Sequence, residues 1–359
     1  MLQYSIAVGL AITAVHGADQ PELVPPSFLS KLTEPSILSG LISKLSFPLV
    51  HVEKRPTFAF LRRIRDHPKL SQDALRSQLE LDMSKRHRAV VPKAGDTIAA
   101  LVEEWANEWL VDARTDVEFE KRLEGMVEEV AWGNAIWFSV RGWQTRGDHG
   151  RAFNADFVVW VQLHVFLYSA VLIQSSAHLV TSSIFLLPLV LRSDNSPYPP
   201  LSFARRLQLL KAYLSACAGI YISRGNGPLP IEEFYTATND RLTAPPAVPG
   251  PPGAKRQPLS ASGGPWGRII ANAIAFPEEH VVKTIRSLAV FAARWGTRPA
   301  GYFAGGGEDG LEGREVLDGT LFVRSASLTL DRLGWAHESG KALVEWGYEG
   351  YYDWREIEA

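Results

Sequence analysis

Two short runs place titratable and hydroxyl side chains at helical spacing within apolar sequence: His178-x-x-Thr181-Ser182 and His280-x-x-Lys283-x-x-Arg286. A buried imidazole offers one donor and one acceptor, and hydroxyls one helical turn away can satisfy one nitrogen and fix the tautomer. His178 therefore reads either as a general base or as a satisfied core histidine, with Thr181 and Ser182 as its companions. In the second run, Pro277-Glu278-Glu279 reads as a first helical turn, which sets His280 beside a helix N-terminus. The dipole there opposes protonation and favours a neutral ring that can accept a proton. Lys283 and Arg286 continue roughly the same face and would hold a phenolate, carboxylate or phosphate, unless they are simply a solvated basic stripe. Arg224, in an SRG turn, is a further anion-binding candidate against a plain surface cap.

No recognised catalytic signature accompanies these groups. The chain has no H-E-x-x-H, G-x-S-x-G, C-x-x-C or Walker A sequence, and no metal ligand set is expected. The run Gly305 to Gly310 fits G-x-G-x-x-G formally, but no β-rich strand precedes it. Its Glu308 and Asp309 would also repel a pyrophosphate. A net charge of −2, with no Lys/Arg block, gives no reason to expect nucleic acid. The single cysteine, Cys217, excludes a disulfide framework and suits a reducing, cytoplasmic compartment. It sits in an apolar helical pattern, where a small buried residue explains it better than a nucleophile does. Eleven tryptophans would suit a flat aromatic ligand, although packing alone accounts for most of them.

The elements that must carry these residues read as helices nearly throughout. Ile98, Leu101, Val102, Trp105 and Trp109 form one face of a helix capped by Asp96-Thr97. Phe119, Leu123, Met126, Val127 and Val130 form another, over Glu118 to Trp137. Pro56 to Asp66 reads as a short helix with Pro56 near its first position, and Arg205 to Ser223 as one closed by Arg224-Gly225. No stretch alternates as a half-buried strand, so the expectation is an all-α chain forming a single helical domain over 1–359. Thr243 to Gly264, dense in Pro, Gly and Ser, should be a disordered internal loop.

Phe157 to Leu191 contains no Asp, Glu, Lys or Arg over 35 residues, long enough for a membrane span. Its polar stripe at His178, Thr181 and Ser182 favours instead a buried helix lining a cavity. The N-terminal apolar run lacks the basic residues that begin a secretory signal. It reads as the tail of a core helix ended by Gly17.

The run FNADF, followed downstream by HLVTSSIFL, resembles the questin oxidase-like family of fungal secondary-metabolite enzymes. The resemblance continues through HGADQPEL (His16 to Leu23), RPTF (Arg55 to Phe58), LLKAYLSACAGIYISRGNGPL (Leu209 to Leu229) and EEHVVKTIRSLA (Glu278 to Ala289). GWAHESGKALVEWGY, from Gly334 to Tyr348, is similar to a worn form of the family's terminal segment. Asp156 and His178 are separated by 21 residues, where the family has very few. Residues 158–176 thus read as an apolar insertion or a translated intron, and the start of the chain as an N-terminal truncation. The resemblance implies Baeyer–Villiger-type oxidation of an anthraquinone-like polyketide, with NADPH as reductant and flavin or metal left open. His178 and His280 would be the candidate catalytic bases, with the His178 helix at the centre of the fold and the His280 helix beside it. Thr181, Ser182, Arg224, Lys283 and Arg286 would bind substrate or cofactor. The rival reading is a catalytically inactive or membrane-associated relic using 157–191 as an apolar span.

Overall fold

The computed structural model describes residues 54–71, 74, 94–144, 176–191, 201–223, 226–239, 264–275, 279–305 and 307–330. Of the interpretable part, 76% is helical and none is strand, so the fold is all-α. The helices are α1 (Ala59–Asp66), α2 (Gly95–Leu110), α3 (Asp116–Gln144), α4 (Ser176–Ser183) and α5 (Leu186–Val190). They continue with α6 (Phe203–Ser223), α7 (Ile231–Ala237), α8 (Gly264–Ala275), α9 (Glu279–Trp295) and α10 (Leu321–Leu330). Short 3-10 turns occupy Pro68–Leu70, Gly307–Asp309 and Arg314–Val316.

Helix α3 is the hub. Every residue from Met126 to Trp137 is buried, so this helix is covered on all sides rather than along one stripe. Around it pack α2, α4, α5, α6, α7 and α10, with α9 held against both α4 and α10. Its start is written in a capping box. The Glu118 carboxylate accepts from the Thr115 N–H at 2.9 Å, and the Thr115 hydroxyl accepts from the Glu118 N–H at 3.2 Å. The five apolar positions expected on each of α2 and α3 are all buried. The His178 helix, α4, packs between α3 and α9 and also meets α5 and α6.

Helix starts differ from the expectation for local reasons. Helix α2 begins at Gly95 behind Ala94, which makes no side-chain cap, and Asp96 lies inside the first turn facing the positive dipole end. Helix α1 begins at Ala59, not at Pro56, because Phe58 takes a left-handed conformation at φ 56°. Its N–H is drawn to the buried Glu129 carboxylate at 2.7 Å, away from the helical path. Such a conformation costs a non-glycine residue about 1–2 kcal/mol, and here complete burial of the ring opposes that cost. The run from His178 to Leu191 is two helices, broken at Ile184-Phe185. Pro188 has no N–H to return to the Ile184 carbonyl, which removes the bond that would join them.

Among the described residues no helix is long and apolar enough to cross a membrane. The expectations on His16 to Leu23, the N-terminal run, the insertion at 158–175, Arg224-Gly225, the loop over 243–263 and Gly334 to Tyr348 lie outside the described residues.

Candidate functional site

Helix α4 presents its hydroxyls inward to its own backbone. Thr181 Oγ1 donates to the His178 carbonyl at 3.4 Å, and Ser182 Oγ donates to the same oxygen. Ser183 Oγ donates to the carbonyls of Leu179 at 2.6 Å and Val180 at 3.0 Å. The Thr181 and Ser182 hydroxyls are thus engaged with the His178 carbonyl, one turn back, and Ser182 Oγ also with Tyr213 Oη. His178, Thr181 and Ser182 are each half-buried, at the boundary between core and surface.

Behind α4 lies a polar junction that the apolar periodicity concealed. Asn134 of α3 is fully buried and its Nδ2 faces the Leu179 carbonyl at 3.2 Å, Tyr213 Oη at 3.3 Å and Ser183 Oγ at 3.4 Å. Tyr213 of α6 donates to the Leu179 carbonyl at 3.0 Å and shares a hydrogen bond with Ser182 Oγ at 2.8 Å. Burial pushes the Tyr213 phenol well above its ordinary value, which keeps the proton on this donor. Cys217, one turn along α6, is 3.6 Å from Asn134 Nδ2, and burial raises its thiol to about 12. It is an inert core thiol, as its surroundings in the sequence imply.

Beside this junction α1, α2, α3 and α6 enclose a cavity of about 10 Å³, bordered by Trp105, Glu129, Asn134, Trp137 and Leu214. That is room for about one water and none for a polycyclic ring. Glu129 accepts from Trp105 Nε1 at 2.7 Å, Trp109 Nε1 at 2.6 Å and Phe58 N at 2.7 Å, with the Thr57 backbone also turned to it. Burial raises its carboxyl despite these donors. A separate open cleft of about 330 Å³ is bordered by His67, Lys69, Asp96, Thr97 and Glu104, and includes none of the expected site residues.

Helix α9 brings the second run alongside the first, since it packs directly on α4. His280 is in this helix, with its side chain outside the described set. Lys283 and Arg286 are exposed, one turn apart, while Val281, Thr284, Ile285, Ser287 and Leu288 turn inward. These two cations stand at the rim of the fold, in water, and not inside a dry pocket. Among the described residues no group of three or more His, Cys, Asp or Glu could hold a metal ion. The glycine run closes as a 3-10 turn over Gly307–Asp309, its carbonyls taken by Arg314, whose Nη2 reaches the Gly307 carbonyl at 2.6 Å.

Asn134, Tyr213 and Glu129 were missed because no motif or spacing in the sequence links any of them to α4. The one available signal was Glu128-Glu129 in the otherwise apolar centre of α3, where an unpaired carboxylate demands donors. A family model described as Questin oxidase-like matches residues 2–288, a span that takes in α1 to α8 and the first part of α9. No curated protein and no solved structure matches the chain.

Proposed function

Because the chain belongs to the questin oxidase-like family, an affiliation that points to an oxidoreductase, we propose that it carries out Baeyer–Villiger-type oxidation of an anthraquinone-like phenolic polyketide. In such a reaction an aryl ketone, O₂, NADPH and a proton give an ester, NADP⁺ and water. One oxygen atom enters the carbon–carbon bond beside the carbonyl and the other leaves as water. The reductant supplies the two electrons that balance the second oxygen atom.

The chain's own residues would then divide the work as follows. His178 takes the proton of a phenol next to the ketone, acting as general base from the half-buried face of α4. Thr181 and Ser182 border it. His280, at the start of the adjoining helix, is the second candidate base. Lys283 and Arg286 are solvent-facing and one turn apart, which suits the phosphates of a nicotinamide dinucleotide better than an oxyanion in a dry pocket. Arg224 belongs with them as an anion-binding candidate. The observation that carries this reading is the family match across both histidine runs, together with the packing of α9 on α4.

The test is turnover of a questin-like anthraquinone with NADPH and O₂, run on the full chain and on a version lacking residues 158–176. His178→Ala should abolish turnover while leaving the helical circular dichroism intact, and Lys283→Ala should chiefly raise KM for the reduced nicotinamide. Activity confined to the shortened form would mark 158–176 as extraneous. Silence in both forms, with folded protein and an active family member run alongside, would overturn the reaction named here.

A further inference from the structure

We propose that Tyr213 is a positioning residue for His178, setting the rotation of α4 by holding Leu179 and Ser182 at once. Its catalytic consequence rests on the reading of His178 as base, but the positioning can be measured without substrate. Helix α4 packs on α3, α5, α6 and α9, and a helix in a folded protein takes its stability and orientation mostly from such packing rather than from propensity. From α6, Tyr213 grips two α4 positions, the Leu179 carbonyl at 3.0 Å and Ser182 Oγ at 2.8 Å. From α3, Asn134 reaches the same carbonyl at 3.2 Å and Ser183 Oγ at 3.4 Å; of these positions Ser182 is the one bonded to the His178 carbonyl.

Leu179 and Ser182 are three residues apart and share a face, and His178 lies about 70° round the helix from that face at 100° per residue. Ser182 in turn bonds the His178 carbonyl, so the grip ends on the residue whose ring it sets. At the roughly 5–6 Å radius of helical side chains, a turn of about 20° would displace the imidazole by about 2 Å. Misplacement on the order of 1 Å can cost about 100-fold in rate. A half-buried ring moved that far also changes its exposure, hence its proton affinity.

The experiment compares Tyr213→Phe with Tyr221→Phe in the full-length protein. Both delete one hydroxyl from α6, but the Tyr221 hydroxyl donates to the Gly227 carbonyl at 2.7 Å and not to α4. The readouts are the titration of the His178 ring by NMR, assigned with His178→Gln, and steady-state turnover. Tyr213→Phe should shift the His178 midpoint by about half a pH unit. It should lower kcat by about 10–100-fold with KM within about twofold. Tyr221→Phe should leave the His178 titration as in the wild type. Should Tyr213→Phe be recovered unfolded, Ser182→Ala breaks the same grip from the other side and should give the same shift. An unchanged His178 titration, or an equal shift in Tyr221→Phe, would overturn the proposal. A shift confined to Tyr213→Phe in a protein whose wild type turns over no anthraquinone would uphold the positioning and defeat the reaction.

Discussion

Glu129 ties both α2 and the segment before α1 to the middle of α3. Its two oxygens take N–H groups from Trp105, Trp109 and Phe58, and all four residues are buried. The neutral isostere shows what the second oxygen is for. Glu129→Gln keeps shape and volume but turns an NH₂ towards donors, leaving at least one buried N–H without an acceptor. Each such group costs about 1–3 kcal/mol. Glu129→Gln should therefore lose that much stability or more, read as a lower urea midpoint at unchanged m-value. A loss below about 0.5 kcal/mol would mean that the donors find other partners.

Among the elements, α3 is where close approach matters most. A Cβ added to Gly125 would stand 2.6 Å from Trp109 Cζ3 and 2.7 Å from Cη2. The ring cannot retreat, because its Nε1 is tied to Glu129. On an exposed helix Gly→Ala gains up to about 1 kcal/mol, whereas overpacking a filled site costs about 1–3 kcal/mol. Gly125→Ala should thus destabilise by chemical denaturation, against helix propensity; a gain would show that Trp109 has room to move. The helices themselves were legible because their burial is periodic: Ile98 to Trp109 and Phe119 to Val130 each form an apolar stripe that needs no knowledge of its partner. The junction behind α4 was not legible. Asn134, Tyr213 and Ser182 come from three helices, and only their packing tells which hydroxyl meets which carbonyl. His178 could be picked out by residue type, but the carbonyl and the phenol that its neighbours' hydroxyls meet could not. Nor could the left-handed turn at Phe58, which depends on a carboxylate 71 positions away.

At the scale of the whole molecule, a pair of ion contacts links the first described helix to the last loop before α10. Glu312 meets Arg65 Nη1 at 2.6 Å and Arg62 Nε at 3.3 Å. The hydrogen bond from Arg65 comes first among the causes that lower its carboxyl from the ordinary 4.5 to about 2. The sign follows directly: the ionised form is favoured by folding, so the contribution is present above pH 4.5 and lost as pH falls through about 2. Because the pair is largely exposed, solvent and salt keep its contribution small. The difference in urea midpoint between wild type and Glu312→Gln should accordingly narrow between pH 4.5 and 2, and shrink in 1 M salt. A difference independent of pH would assign the effect to something other than charge. The same long reach, applied to Glu129, has a consequence for how the chain comes apart. Its donors lie 20, 24 and 71 residues away. A buried carboxylate with some of those donors missing is worse than one left in water. Partial assembly is therefore penalised and only the complete set is rewarded. Fraying at the start of α1 would then be felt at once in the middle of α3, so these segments are made to unfold as one unit.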